Sequence, residues 1–225
     1  MLKSKWTGDL CFATPTVSDL ILALGGIDPD RILMVPAPGT ATVADVGRYE
    51  CELLENTLVR KAVHFPKAVL GACLVGRVLD FVLERNLGIV VGPHAFFEVS
   101  PETVRAADVA FLDWSSMPGR VIPPEPVPKV APDLCADILT PQNTETEMKR
   151  KRKDYFTAGV KLVWQIDPAK PTATVYDADD AGTILSPTDS LDGGKVLPGF
   201  TLPLAELFGE LDREAPDATP AGGGS

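Results

Sequence analysis

Hydrophobic positions crowd residues 66–85 so closely that a helical projection is apolar on most sides, which predicts a long buried helix. Pro66 opens it, in a first turn where a missing N–H costs nothing, and residues 86–88 end it. Shorter apolar runs flank it. Residues 51–63 read as two short strands around Glu55-Asn56, because Asn tolerates the left-handed conformation that a tight turn needs. Residues 89–92, 94–99 and 104–112 read as three strands, the last two joined by the tight connection 100–103. A loop over 113–132 holds six prolines and is too long for a hairpin turn.

Residues 134–139 form a further apolar run, interrupted by Asp137. Thr144 and Glu147 then have the spacing of a capping box, which predicts a helix running to Ala158 with Gly159 as its C-cap. Residues 161–167 form an apolar-centred strand stopped by Pro168. Residues 172–176 and 183–185 predict a hairpin, and 204–211 a last short helix. Before residue 51 the pattern is weaker: short helices over 17–24 and 42–49, separated by the Pro-rich stretch 35–39. The central order of helix, three strands, helix and strand suits a mixed sheet with helices on its faces. The division expected is an N-terminal helical and Pro-rich appendage over 1–50, an α/β domain over 51–211 and a disordered tail over 212–225, which ends in Gly-Gly-Gly-Ser.

Composition narrows the class. No segment reaches the roughly 20 apolar residues of a membrane span, since the longest uncharged run in the most apolar stretch, 68–76, has nine. The N-terminus lacks the apolar region and cleavage site of a secretory signal, so the cytoplasm is the expected location. Cys11, Cys51, Cys73 and Cys135 are far apart and the chain has two histidines, which argues against a structural zinc site or a disulfide framework. The net charge of −10 opposes general affinity for nucleic acid. It is uneven, however: residues 145–153 carry +3 and the remainder −13, so a phosphate backbone would be met at that one place.

Two acids stand out. Asp108 precedes the apolar run 109–112, and Asp137 lies inside 134–139. A carboxylate within an apolar strand must be paired, protonated or metal-bound, and two on neighbouring strands can share a Mg²⁺ ion. With Met148 at zero on a helical wheel, Tyr155, Phe156 and Ala158 mark the inward arc. Lys151 and Arg152 fall inside that arc, while Lys149, Arg150 and Lys153 fall outside it. Lys151 is thus the lysine directed back toward the strand ends, where an ammonium can orient a metal-bound water. Each residue also has a plainer reading. Asp137 can bond strand-end N–H groups, Asp108 can satisfy a turn, Lys151 can lie along the helix flank, and the run 149–153 can be a solvated face.

Six blocks in one order then carry a resemblance: Cys-Glu-Leu-Leu-Glu-Asn-Thr-Leu-Val (51–59), Val-Arg-Ala-Ala-Asp-Val-Ala-Phe (104–111), Pro-Asp-Leu-Cys-Ala-Asp-Ile-Leu (132–139), Glu-Met-Lys-Arg-Lys-Arg-Lys-Asp-Tyr-Phe (147–156), Ala-Gly-Val-Lys-Leu-Val-Trp-Gln-Ile-Asp-Pro (158–168) and Leu-Asp-Gly-Gly-Lys-Val-Leu-Pro-Gly-Phe (191–200). Together they resemble the Uma2 family, a group assigned to the restriction endonucleases with the PD-(D/E)XK nuclease fold. The resemblance implies a restriction-endonuclease-like core and Mg²⁺-dependent, or Mn²⁺-dependent, hydrolysis of DNA. It places Asp108 and Asp137 on the metal and gives Glu52 the place of an N-terminal glutamate that joins the metal site. Leu139 stands where the wider superfamily has its lysine, and Lys151 is the substitute. Ala107 replaces a usual Pro, Asn56 a usual Gly, and Asp137 a usual Glu, which retracts that carboxylate by one methylene. The competing expectations are a weakened nuclease fold that binds nucleic acid or protein without cutting, and an oligomeric interaction module whose acidic cluster is purely structural; a homodimer is a separate expectation for the chain's partner.

Overall fold

The computed structural model describes residues 17–33, 40–179 and 181–214. Cys11, the Pro-rich stretch 35–39 and the tail beyond 214 lie outside the described residues. In chain order the elements are α1 (Val17–Ala23), β1 (Ile32–Leu33), α2 (Val43–Tyr49), β2 (Glu52–Leu54), β3 (Thr57–Val59), α3 (Phe65–Arg85), β4 (Gly88–Val91), β5 (Phe97–Ser100), β6 (Thr103–Arg105), β7 (Val109–Asp113), β8 (Leu134–Ile138), α4 (Glu145–Ala158), β9 (Leu162–Asp167), β10 (Thr172–Tyr176), β11 (Gly182–Leu185), β12 (Ser190–Asp192), β13 (Thr201–Pro203) and α5 (Leu204–Gly209). A six-stranded sheet has the order β11-β10-β9-β8-β7-β4. A second, five-stranded sheet has the order β1-β3-β2-β6-β5. The first is mixed, because β8 and β9 run parallel while the other neighbours are antiparallel. The α4 crossover supplies the reversal that a parallel pair requires.

Two-residue periodicity sorts the side chains of the larger sheet. Register pairs Val109 with Ala136 and Phe111 with Leu134, and the parallel ladder pairs Ala136 with Trp164 and Ile138 with Ile166. These residues share one face with Leu70, Leu74, Val78 and Val82, the buried stripe of α3 at four-residue spacing. Each such side chain contributes about 1.5–3 kcal/mol on burial. The alternate residues Ala110, Leu112, Cys135 and Val163 lie on the other face, where they cluster with Tyr155 of α4. The helix expected to be apolar on most sides is therefore buried along one stripe, and its Phe65 and Leu83 are exposed.

The hairpin of β2 and β3 turns on Glu55 and Asn56, both left-handed. Gly88 has a different reason: a Cβ there would meet the Leu112 carbonyl oxygen across the β4–β7 pair, so a larger residue would force the strands apart. Two expectations are corrected. Residues 104–112 are not one strand, since β6 pairs in the five-stranded sheet and β7 in the six-stranded one, with 106–108 passing between them. The apolar run was continuous, but the change of sheet is decided by distant partners. Residues 94–99 also shorten to β5, and 93–94 form a turn.

At the start of α4, Thr144 accepts from the Glu147 N–H at 3.1 Å. The Glu147 carboxylate, expected to close the box, instead receives both Nη atoms of Arg31 at 2.7 and 3.0 Å. That buried pair ties the segment before β1 to α4, and β1 itself hydrogen-bonds to β3. No helix among the described residues is long and apolar enough to cross a membrane.

Candidate functional site

The passage from β6 to β7 creates the site's local problem. Residues 106 and 107 have left one ladder and not joined the other, yet both are buried, and buried backbone groups need partners. Side chains supply them. The Ala106 N–H donates to Glu52 Oε1 at 3.1 Å, and the Ala106 carbonyl accepts from Lys151 Nζ at 2.9 Å. The Ala107 carbonyl accepts from Lys61 Nζ at 2.9 Å.

Asp108 follows directly. Its N–H donates to the Ala136 carbonyl at 2.9 Å, and the β7–β8 register carried one step back sets it opposite Asp137, on the same face. Asp108 Oδ2 accepts from the Ile138 N–H at 2.8 Å. Lys61 reaches Asp108 Oδ1 and Lys67 reaches Oδ2, each at 2.8 Å. Asp137 Oδ1 accepts from Lys151 Nζ at 2.8 Å, and the same ammonium lies 3.0 Å from Glu52 Oε1. Glu52 Oε2 in turn accepts from Arg105 at 3.0 Å, and Arg105 donates twice to Asp154 Oδ2, at 2.9 and 2.6 Å. Four acids and four bases thus form one mostly buried cluster of two ion-paired groups, brought together by the Ala106–Ala107 backbone that Lys61 and Lys151 bond and by the Asp108–Asp137 register. All four residues singled out by the sequence, Glu52, Asp108, Asp137 and Lys151, belong to it.

The electrostatics separate its members. Burial pushes Asp137 up and Lys151 pulls it back, but the neighbouring Asp108 charge leaves it above the usual carboxylate range. Burial also opposes Asp108, yet Lys61 and Lys67 outweigh it and hold that carboxyl below its usual value. Glu52 is likewise buried and is held far down by Lys151 and Arg105. Lys151 is raised despite burial, because Asp137, Glu52 and Asp108 surround it. Lys61 is lowered, by burial first and then by the repulsion of Lys151 and Lys67.

Lys61, Lys67, Arg105 and Asp154 escape the sequence reading. Lys67 carried a usable signal, since it is the first charged residue of α3 and immediately follows Pro66. Arg105 carried none, because its partners are 53 and 49 residues away. The basic run of α4 is also less of a patch than its composition suggests. Arg150 is tied to Glu55 and the Ala23 carbonyl, Lys151 to the cluster, and Arg152 to the Asp179 carbonyl while lying 4.0 Å over the Tyr176 ring. Lys149 and Lys153 remain exposed with no ion pair among the described residues.

A groove of about 670 Å³ opens onto the cluster, walled by Arg60, Lys61, Lys67 and Asp108 over an apolar floor of Ala68, Ala72 and Phe96. A second groove, about 770 Å³, runs past Met148, Arg152 and Gln165, and the two share His64.

No three His, Cys, Asp or Glu side chains among the described residues converge as a closed metal site. Mg²⁺ requires fewer protein ligands, one or two carboxylates with waters and phosphate oxygens completing the shell. Asp137 Oδ2 is buried with no hydrogen-bond partner, and Asp108 Oδ1 has only its close approach to Lys61. Two adjacent carboxylates with underused oxygens fit such an ion, which would share Asp108 with the two lysines.

The sequence profile of the Uma2 family, described as "Putative restriction endonuclease", matches residues 45–205, a stretch that contains the whole cluster. Among solved structures, a protein from Anabaena variabilis described as a "putative nuclease belonging to DUF820" superposes with a TM-score of 0.62. The match covers 71% of this chain and 90% of the other at 17% identity. At that identity the likeness is one of fold, and the shared fold is restriction-endonuclease-like. No curated protein matches the chain.

Proposed function

Because this chain belongs to the Uma2 family, we propose that it is a Mg²⁺-dependent endonuclease that hydrolyses phosphodiester bonds of DNA. The family and the fold are those of nucleases. The observation that carries the finer reading is that Asp108, just before β7, lines an open groove and sits opposite Asp137 of β8, whose carboxylate is held by Lys151 of α4.

In this reading Asp108 and Asp137 hold the ion, with Mn²⁺ as an alternative. When bound, Mg²⁺ supplies a water of lowered pKa and offsets the charge of the scissile phosphate. Lys151 stays charged and is aimed by three acceptors, Asp137, Glu52 and the Ala106 carbonyl, so it can exchange one of them for the attacking water or a phosphate oxygen without searching for its position. Glu52 assists by fixing Lys151, and Arg105 fixes Glu52. Lys61 and Lys67 face the groove and meet the phosphate as it approaches Asp108.

One observation favours the alternative, a weakened nuclease fold that binds without cutting. Lys61 and Lys67 already neutralise Asp108, and the shorter Asp137 is drawn onto Lys151. Incubation with single- and double-stranded DNA and RNA, in Mg²⁺, Mn²⁺ or EDTA, decides between them. DNA cut in either metal, intact in EDTA and intact with Asp108→Asn is the expected result. Binding without cutting in every metal would establish the alternative.

A further inference from the structure

Three consecutive exposed residues, Val63, His64 and Phe65, form a ridge at the start of α3, beside the place where the two grooves share His64. Val63 is 88% exposed and Phe65 81%, an unusual concentration of apolar surface two residues from each of the lysines that grip Asp108. Val63 and His64 wall the first groove, and His64 also walls the second. Arg60, beside the ridge, is exposed and has no carboxylate within ion-pair distance among the described residues.

We infer that this ridge is a stacking platform for unpaired bases, so that the cleft takes a single strand of nucleic acid in preference to a duplex. The inference rests on the nuclease reading for the class of ligand and adds to it the strandedness. A base stacked in a duplex hides its faces, and an exposed aromatic ring then has nothing to gain from it. An unpaired base presents a π-face of any sequence to Phe65, while cations beside the ring hold the backbone. The composition is of that kind: one exposed aromatic ring, Phe65, follows in sequence the aliphatic Val63 and the His64 imidazole that wall the groove, and Arg60 and Lys67 line the same groove with Asp108. The groove floor is apolar, which suits a base better than a phosphate. The overall charge of −10 fits as well, because a stacking site needs little of the broad positive field by which duplex is gathered.

Fluorescence anisotropy of the full chain in EDTA, where no cutting is needed, tests this with labelled dT12, U12 and a 12-base-pair DNA duplex. The expected result is that at least one single strand binds about tenfold or more tightly than the duplex, the two strands together reporting whether the sugar matters. Phe65→Ala should weaken the single strand about tenfold and leave duplex binding unchanged, and Phe65→Trp should retain it. Leu83→Ala, which removes another exposed apolar residue of the same helix, serves as control and should change nothing. Circular-dichroism melting verifies that each variant is folded. Equal affinity for duplex, no binding of either strand, or an unchanged single-strand affinity in Phe65→Ala would each overturn the inference. So would a self-association abolished by Phe65→Ala with strand binding intact, which would make the ridge an interface between copies of the chain. Single-strand binding with no cutting in any metal would leave this inference standing and remove the proposed activity.

Discussion

Lys151 Nζ lies 2.8 Å from Asp137 Oδ1, a contact between a helix and a strand through which one ammonium also reaches Glu52 and the Ala106 carbonyl. Its consequence is that the cluster's structural role and its proposed chemical role meet in one side chain.

Lys151→Ala is expected to reduce cleavage by about 10²- to 10⁴-fold, the usual worth of a positioned acid–base group. It should also cost about 3–5 kcal/mol of stability, since Asp137 and Glu52 are left buried without their shared partner. Lys149→Ala and Lys153→Ala, on the exposed face, should do neither. They should weaken substrate binding modestly, and less so as salt rises. Urea unfolding and initial cleavage rates on the same preparations separate the two losses; equal effects from all three substitutions would contradict the assignment.

Arg105→Met should destabilise the fold by about 3–5 kcal/mol, because Glu52 and Asp154 converge on a guanidinium that is almost completely buried. Arg105→Lys should recover only part of this, as an ammonium cannot place two donors on Asp154 and one on Glu52 in a single fork. Urea midpoints for both variants would show the ordering, and an Arg105→Met variant as stable as the wild type would sink it.

Glu52 predicts a pH dependence with a definite sign. Its folded-state carboxyl is held far below the unfolded value of about 4.3, so its stabilisation is complete above that value and is lost as pH falls toward the folded one. The stability gap between wild type and Glu52→Gln should therefore be constant above about pH 5 and narrow steadily between about pH 4 and pH 2. A gap that stays constant through that acid range would mean the carboxylate is not preferentially ionised in the fold.

Leu74→Ala tests the packing beneath the site. Leu74 is fully buried in the α3 stripe against the sheet, and the substitution should cost about 2–5 kcal/mol through lost burial and an incompletely collapsed cavity. Thermal or urea unfolding measures it. A loss below about 1 kcal/mol would show that α3 is not packed as described.

The site was legible in the sequence where chemistry conflicted with pattern. Asp137 inside an apolar run could be recognised locally, and so could Lys151, whose inward position follows from helical geometry alone. What stayed hidden was decided by distant partners. Arg105 looks like an ordinary strand residue until Glu52 and Asp154 are brought to it, and Lys61 lies two residues past the end of β3 without any local pattern. The same limit governs the fold. Residues 104–112 read as one strand because their apolarity is continuous, whereas the break at 106–108 depends on β2 capturing β6 and β8 capturing β7. At Glu147 a local cap was outcompeted by a bidentate partner from residue 31, a contact that helical spacing cannot anticipate.

Isothermal titration of Mg²⁺ into the wild type, Asp108→Ala and Asp137→Ala, under conditions where each is folded, tests the central claim most directly. Asp108 and Asp137 contribute the only ligands assigned to the ion, so saturable binding of one ion in the wild type, lost in either variant, is the predicted result. The absence of saturable binding in the wild type, tested again with Mn²⁺ in place of Mg²⁺, or binding that survives both substitutions, would contradict it.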